Sequence, residues 1–168
     1  MNSIGSAMRT TLYANPYDNS YTGFYFGSID EFNKQLSQAS YEEVEIDCID
    51  GNHPGLFQAA KIHQGNVDLW FDELDKYSDD SHEASAIGYL LDIMHLDEAI
   101  KRRDEVILHR GSLADYAFEL VKDVCSLDEL PDLIRNHIDY DSIGRDLELN
   151  SEVTELSRNV WVVNCLEF

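Results

Sequence analysis

The chain of 168 residues carries twelve Lys and Arg against 33 Asp and Glu, a net charge of −21. Its 43% hydrophobic and 11% aromatic content is that of a folded protein, so the acidity does not come from disorder. Such a surface repels nucleic acid and anionic membranes and attracts basic clefts. No apolar run approaches the ~20 residues of a membrane span, and residues 1–7 lack the apolar core of a secretory signal. We therefore predict a cytoplasmic location and neither a membrane nor a nucleic-acid partner.

The acidity is spread along the whole chain. Residues 1–60 have a net charge of −6, residues 61–105 of −7 and residues 106–168 of −8, so no single acidic tail accounts for it. The three cysteines, Cys48, Cys125 and Cys165, have no CxxC spacing and an odd count. This pattern predicts buried, reduced thiols rather than a disulfide framework.

The first part of the chain predicts a small sheet with one helix. Residues 9–14 and 21–27 are rich in Thr and aromatic residues and predict strands, joined by turn-forming residues 15–20. Ser28 and Glu31 form a capping-box pattern that opens a helix to about Ala39. Residues 41–49 alternate apolar and acidic side chains, which predicts a strand with an acidic outer face. We assign these elements to a module spanning residues 8–60.

The middle of the chain predicts helices over residues 61–104. Apolar side chains repeat at helical spacing in two stripes: Val67, Trp70, Phe71, Leu74 and Tyr77, then Ile87, Leu90, Leu91 and Met94. The first stripe leaves Asp68, Asp72, Glu73 and Asp75 on the outside. A short helix from Asp97 ends in the basic cluster Lys101-Arg102-Arg103. We expect this cluster either to pair with neighbouring acids or cap its helix, or to orient the chain at an interface.

Residues 105–168 predict a mixed module. A strand at 105–109 precedes a capping box at Ser112 and Asp115, a helix to Val124, and a closing hairpin of residues 152–157 and 160–167. Residues 127–149 lie between them, with Pro131 suited to a first helical turn. This segment predicts a helical apolar stripe facing the core and an acidic face toward solvent, the stripe being Leu130, Leu133, Ile134, Ile138, Ile143 and Leu147. The fold class is therefore α+β.

Catalytic and metal motifs are incomplete in this sequence. The run from His82 begins like HExxH but has Ala86 in place of the second histidine. Residues 139–150 begin like a calcium loop, but Ile143 occupies a ligand position and Asn150 replaces the bidentate Glu. Nucleophile elbows and phosphate-binding glycine loops are absent, and the six histidines are scattered. We predict no enzyme, no catalytic residue, no cofactor and no metal site.

The acidic segment also carries a family resemblance. The run from Pro131 through Asp139-Tyr140-Asp141 to Gly144-Arg145-Asp146-Leu147-Glu148-Leu149 resembles the C-terminal signature of the ArdA antirestriction family. The resemblance implies an elongated series of three small modules over residues 9–166, with a homodimer formed by the third. It further implies that the carboxylates imitate DNA phosphates and inhibit type I restriction–modification enzymes, in a bacterial host invaded by a phage or mobile element.

The predicted site is a distributed set of carboxylates. By the spacing of ~1.7 Å of duplex axis per phosphate, 21 net charges correspond to ~36 Å of DNA. Candidates for the dimer interface or the core are Tyr140, Ile143 and Trp161. Candidate phosphate mimics are Asp68, Asp72, Glu73, Asp75, Asp115, Glu119, Asp123, Asp128, Glu129, Asp132, Asp139, Asp141, Asp146 and Glu148.

Two alternatives remain open at the level of sequence. A mimic aimed at another DNA-binding machine, such as a CRISPR effector or a repressor, would share every compositional feature. An acidic adaptor for one basic protein would instead depend on a single apolar hot spot.

Overall fold

The computed structural model describes residues 10–51 and 53–168. Contacts divide the chain into two compact units, a first unit ending at Lys101 and a second unit spanning Arg102–Phe168. Both contain helices and a small antiparallel sheet, which confirms the predicted α+β class. The boundary lies close to the predicted one between residues 104 and 105. A further division of the first unit near residue 60 stays a prediction.

The first unit is built on a three-stranded antiparallel sheet. Strands β1 (Thr11–Pro16), β2 (Phe24–Phe26) and β3 (Val44–Asp50) are arranged in the order β2-β1-β3. Side chains alternate between faces, and the buried face includes Leu12, Ala14, Phe26, Val44 and Ile46. The three strands predicted from residues 9–14, 21–27 and 41–49 are confirmed, but β1 extends to Pro16, two residues into the predicted turn. Arg9, in the first predicted strand, lies outside the described residues.

Helix α1 (Ile29–Gln38) covers part of this sheet. It begins as predicted at Ser28, whose Oγ accepts the Glu31 N–H. The Glu31 carboxylate returns to the N–H of Gly27 rather than to that of Ser28. Phe32, the buried residue of the helix, packs its ring 4.9 Å from the Phe26 ring.

Helices complete the first unit. They are α2 (Pro54–Ala59), α3 (Val67–Leu69), α4 (His82–Leu90) and α5 (Leu96–Arg102), and α3 continues into a π-helical turn at Trp70–Leu74. Val67, Trp70 and Leu74 are buried, as are Ile87 and Leu90 of the second stripe. These five residues of the two stripes are therefore confirmed as core, whereas Phe71, Tyr77, Leu91 and Met94 are half-buried. The first stripe is not one regular helix, and the second extends beyond the end of α4 at Leu90.

The π turn changes the direction of one predicted surface acid. Its closing hydrogen bond runs from the Asp75 N–H to the Trp70 carbonyl. In a regular α-helix these residues would lie ~140° apart around the axis, whereas an i→i+5 turn brings them together. Asp75 consequently approaches the buried side of Trp70. The regular 3.6-residue period assumed from the sequence was wrong at this turn.

The second unit contains another three-stranded antiparallel sheet. Strands β4 (Leu108–Arg110), β5 (Thr154–Ser157) and β6 (Val160–Val162) are arranged in the order β4-β6-β5. The predicted hairpin is confirmed, with Asn159 at φ 60° in its turn. Short 3₁₀ turns occupy Arg103–Glu105 and Cys165–Glu167. The Asn164 side chain joins the sheet to both turns, since it accepts the Ile107 N–H and donates to the Glu105 carbonyl and the Glu167 carboxylate.

Two longer helices, α6 (Leu113–Val124) and α8 (Tyr140–Leu149), pack against each other through a glycine. A Cβ at Gly144 would lie 2.9 Å from Leu113 Cγ and 3.1 Å from the Leu113 carbonyl oxygen. At the other end of the contact, the Tyr140 ring meets the Phe118 ring edge-on at 5.3 Å. The lack of a side chain at residue 144 therefore sets how closely the two helices approach.

The segment between these helices departs from the predicted amphipathic stripe. It consists of a 3₁₀ turn at Leu127–Glu129 and the short helix α7 (Asp132–Arg135), which Pro131 immediately precedes. Leu133 is 76% exposed and Ile134 is 54% exposed, so the prediction that both face the core was wrong. Asp139 caps α8 and starts a new helix, and the four residues of α7 are too few to cover their own apolar side chains.

Candidate functional site

Each of the two units is acidic. The first unit contains 18 acids and five bases, and residues 102–168 contain 15 acids and seven bases. Most of the carboxylates predicted as phosphate mimics are exposed, and Glu73 is partly covered. The exposed members are Asp68, Asp72, Asp115, Glu119, Asp123, Asp128, Glu129, Asp132, Asp139, Asp141, Asp146 and Glu148.

Helix α6 arranges three of these acids in a row. Asp115, Glu119 and Asp123 follow each other at intervals of four residues and are all exposed. Four residues correspond to about 6 Å of rise and bring side chains to the same side of a helix. The row has about half the linear charge density of one DNA strand, which carries a phosphate per ~3.4 Å.

Helix α8 carries further exposed acids. Asp141 and Glu148 are seven residues apart, so they share one side of the helix at a separation of about 10.5 Å along its axis. Asp146 and the capping Asp139 are also exposed, and Arg145 is the single base of the helix. Because α8 packs on α6, the backbone positions of these acids, together called the acidic patch, are fixed relative to each other.

Two acids of this patch are held by hydrogen bonds at helix N-termini. The Asp115 carboxylate accepts the Ser112 hydroxyl at 2.6 Å and the Ser112 N–H at 3.2 Å. The Asp139 carboxylate accepts the Ser142 N–H at 3.0 Å and the Ser142 hydroxyl at 2.8 Å. Hydrogen bonds from the Ser112 hydroxyl and N–H lower the pKa of Asp115, and those from the Ser142 N–H and hydroxyl lower the pKa of Asp139.

These lowered pKa values predict how the caps respond to acid. A carboxylate whose pKa is lower when folded than when unfolded stabilises the fold at any pH above its unfolded pKa of about 3.9. That contribution is lost as the pH falls through the lower folded pKa. We expect Asp115→Asn to reduce the free energy of unfolding at neutral pH, with the difference from wild type closing below about pH 4. Urea unfolding of both proteins, from neutral pH to below about pH 4, measures this difference in the free energy of unfolding. Asp128→Asn is the control, and an equal, pH-dependent loss there would contradict a capping origin.

Asp75 differs from the other predicted mimics. It is 25% exposed, its Oδ1 accepts the Thr10 hydroxyl, and the same oxygen lies 3.5 Å from Nε2 of the buried His53. Asp79 also bonds within the first unit, accepting the N–H groups of Gly55 and Leu56 at the start of α2. Both carboxylates have structural partners. The π turn and the distance in sequence between Asp79 and α2 concealed these roles from sequence reasoning.

The predicted basic cluster pairs largely with its neighbours. Arg102 lies 2.8 Å from the Glu105 carboxylate and stacks over the Phe168 ring, and Arg103 lies 3.7 Å from the Asp104 carboxylate. This confirms the simpler of the two expected roles for Arg102 and Arg103. In the same unit, Arg135 pairs with Asp132 on α7.

The second unit exposes an apolar surface next to its acids. A groove of about 770 Å³ is lined by Phe118, Leu127, Tyr140 and polar neighbours, and Val124, Leu133 and Ile134 are exposed on the same helical segments. Of the residues predicted for the dimer or the core, Tyr140 and Ile143 are half-buried. Trp161 is 8% exposed and belongs to the core. The exposure of Leu133 and Ile134 was missed because the sequence stripe assigned both to the interior.

The motifs rejected from the sequence have structural roles. The incomplete HExxH begins α4, where Ser81 Oγ accepts the Ala84 N–H, and the incomplete calcium loop is the capped start of α8. Among residues 10–51 and 53–168, no three His, Cys, Asp or Glu side chains are placed to hold a metal ion. The cysteines are free as predicted, but the prediction that they are buried was wrong, since Cys125 is exposed and Cys48 and Cys165 are half-buried. Burial raises the pKa of the half-buried Cys48 thiol.

Comparisons with known proteins identify the family. The family model for the antirestriction protein ArdA matches residues 19–161, from before β2 to within β6. No curated protein and no solved structure matches the chain. None of the helices in the described part of the chain has the length and apolarity needed to cross a bilayer. The matched range includes the acidic rows of both α6 and α8 and most of the first unit, and the chain therefore belongs to the ArdA family of antirestriction proteins.

Proposed function

We propose that this chain is a DNA mimic that occupies the DNA-binding groove of a type I restriction–modification enzyme and blocks restriction by competing with DNA. The observation that carries the proposal is the fixed acidic patch of α6 and α8, in which exposed carboxylates greatly outnumber bases. Family membership supports an antirestriction role. No catalysis and no direct binding to nucleic acid is involved, and we expect the protein to act in the cytoplasm of a bacterial host.

The mechanism follows from what such a groove is built to bind. A groove that neutralises phosphates with Lys and Arg offers cations to any rigid polyanion of suitable spacing, and carboxylates form bidentate pairs with Arg. Asp115 and Asp139 are held in place by their capping bonds, so binding does not have to order them. Their lowered pKa values keep them ionised at neutral pH. A folded mimic also avoids the energy needed to bend DNA.

The proposal includes a homodimer formed through the second unit. The exposed Leu133 and Ile134, together with the groove bordered by Phe118 and Tyr140, provide apolar surface beside the acids. Pairing would bury this surface while leaving exposed acids on both protomers. A dimer carries 42 net charges, which correspond to ~71 Å of duplex at one phosphate per ~1.7 Å.

The test is displacement of DNA from a type I methyltransferase core bound to a labelled duplex that contains its recognition site. We expect displacement near stoichiometry. We also expect direct binding of the chain to the core to weaken steeply between about 50 and 200 mM salt, as binding through phosphate-like charges does. A polyglutamate of equal net charge is the control for charge without a fold, and should displace much less DNA.

The same assay separates the alternatives. No displacement at large excess would overturn the type I assignment and direct attention to other DNA-binding machines, such as a CRISPR effector. The acidic adaptor predicts binding that salt hardly changes and that one apolar substitution abolishes. The exposed Leu133 and Ile134 are the residues through which such an adaptor would act.

A further inference from the structure

We infer that the outer face of the first sheet is an arginine-binding surface for a cationic protein. This tyrosine face consists of Tyr13, Tyr25, Glu45 and Asp47. The inference rests on the proposed function, because it specifies which side chains of the bound groove the first unit contacts. It adds selectivity for arginine, which a purely electrostatic mimic lacks.

The strand register places these side chains on one face. Tyr13 is directly opposite Tyr25 on β2 and directly opposite Asp47 on β3, so the three form a row across the sheet. Directly paired residues point to the same side of a sheet. Glu45 precedes Asp47 by two residues on β3, so its side chain points to that side as well. The buried face carries the alternate residues, including Leu12 and Ile46. Tyr25 is 62% exposed, and Glu45 and Asp47 are exposed.

The two rings are held in a defined arrangement. Their centroids are 4.7 Å apart at an interplanar angle of 53°. A Cβ at Gly23 would lie 2.7 Å from the Tyr13 ring and 2.1 Å from the Ala14 carbonyl oxygen, so the ring occupies space that only glycine leaves free. The Tyr25 carbonyl accepts the Gln35 side-chain amide of α1 at 2.8 Å. The ring pair is thus ordered before a ligand arrives, which lowers the entropy cost of binding.

The charges around the rings select the ligand. Strands β1, β2 and β3 contain no Lys or Arg, whereas β3 carries Glu45, Asp47 and Asp50. A cation is attracted to the face of a tyrosine ring, and a neighbouring carboxylate adds a charged hydrogen bond. A planar guanidinium can stack on the ring and pair with the carboxylate at once, whereas an ammonium acts as a point charge. The tyrosine face therefore fits arginine better than lysine.

The experiment measures binding of the whole protein to nona-arginine and nona-lysine peptides by calorimetry. We expect tighter binding of nona-arginine. Tyr25→Leu should lower that affinity about two- to fivefold, the range for one exposed cation–π contact, and lower the nona-lysine affinity by a smaller factor. Tyr25→Phe keeps the ring face and should retain the affinity. Tyr17→Leu, which removes a 68% exposed tyrosine beyond the end of β1, is the matched control.

The inference is overturned if Tyr25→Leu binds nona-arginine as well as wild type does, or loses affinity equally for both peptides. The DNA-displacement assay separates this failure from failure of the proposed function. If wild type and Tyr25→Leu displace DNA equally, the proposed DNA-mimic function is retained and the tyrosine face does not contribute to DNA displacement. If neither displaces DNA while Tyr25 still gives arginine selectivity, the type I target is wrong and the arginine-binding surface stands.

Discussion

The triple variant Asp123→Lys, Asp128→Lys and Glu129→Lys is expected to inhibit a type I enzyme about a hundredfold less effectively than wild type. The three acids are exposed at the end of α6 and in the turn that follows it. Each reversal removes an attraction to the cationic groove and adds a repulsion. At about 0.5 kcal/mol for each of the three attractions lost and each of the three repulsions gained, the total of about 3 kcal/mol corresponds to about a hundredfold change. The readout is the concentration for half-maximal displacement of labelled DNA from the methyltransferase core.

Graded controls distinguish a summed field from one essential residue. The corresponding Asn and Gln triple should lose about tenfold, because it removes the attraction without adding repulsion. Asp123→Asn alone should change inhibition less than about twofold. Asp115 and Asp139 are left unchanged because both also cap helices, so their loss would mix folding with binding. If Asp123→Asn alone abolished inhibition, the distributed-charge mechanism would be untenable. Full activity of the lysine triple would show that this part of the surface does not meet the target.

If the chain forms the proposed dimer, the double variant Leu133→Asp and Ile134→Asp is expected to convert it to a monomer and to weaken inhibition by at least about a hundredfold. Both side chains are exposed on α7, and a carboxylate at each would remain charged and unpaired in an apolar interface. Loss of the second protomer removes the gain from two linked binding surfaces, typically ~10²–10⁴. Light scattering after size exclusion should give half the wild-type mass, and the displacement assay gives the loss of inhibition.

This variant also separates dimerisation from charge. It adds two negative charges, which by themselves should favour binding to a cationic groove, so weaker inhibition together with half the mass would come from the lost dimer. Weaker inhibition at an unchanged mass would instead indicate direct contact of Leu133 and Ile134 with the target. Leu166→Asp is the control, since Leu166 is 73% exposed in the closing turn of the same unit. It should keep the dimer mass. A wild-type chain that is monomeric at micromolar concentration would refute the dimer proposal directly.

Local patterns were sufficient to predict much of the fold. The serine caps at Ser28 and Ser112 set the starts of two helices, because a hydroxyl and a nearby acid satisfy N–H groups that have no partner within the helix. Alternation in residues 41–49 correctly separated buried Val44 and Ile46 from exposed acids. These features depend on residues a few positions apart. Sequence reasoning also found most of the exposed acids of α6 and α8, since charge and helical period together determine their exposure.

The sequence predictions were wrong where the surroundings of a side chain depend on tertiary contacts. The π turn at Trp70–Leu74 has no simple sequence signal, and it redirects Asp75 toward Thr10 and His53. The exposure of Leu133 follows from the break between α7 and α8, for which the Asp139 cap was the available signal. The tyrosine face was missed because pairing of Tyr13 with both Tyr25 and Asp47 requires the register of three strands.

The contact at Gly144 has a consequence for how this sequence can diverge. The distance between α6 and α8, and with it the spacing of their acids, depends on an uncharged position where a single methyl group would meet the Leu113 backbone. Exposed acids that bond to nothing else can exchange between Asp and Glu, or move by a turn, while the overall field changes little. A substitution at Gly144 leaves composition and isoelectric point almost untouched and yet shifts a whole helix of carboxylates. Selection on an electrostatic surface should therefore tolerate drift among its charges and be strictest at a residue that carries none.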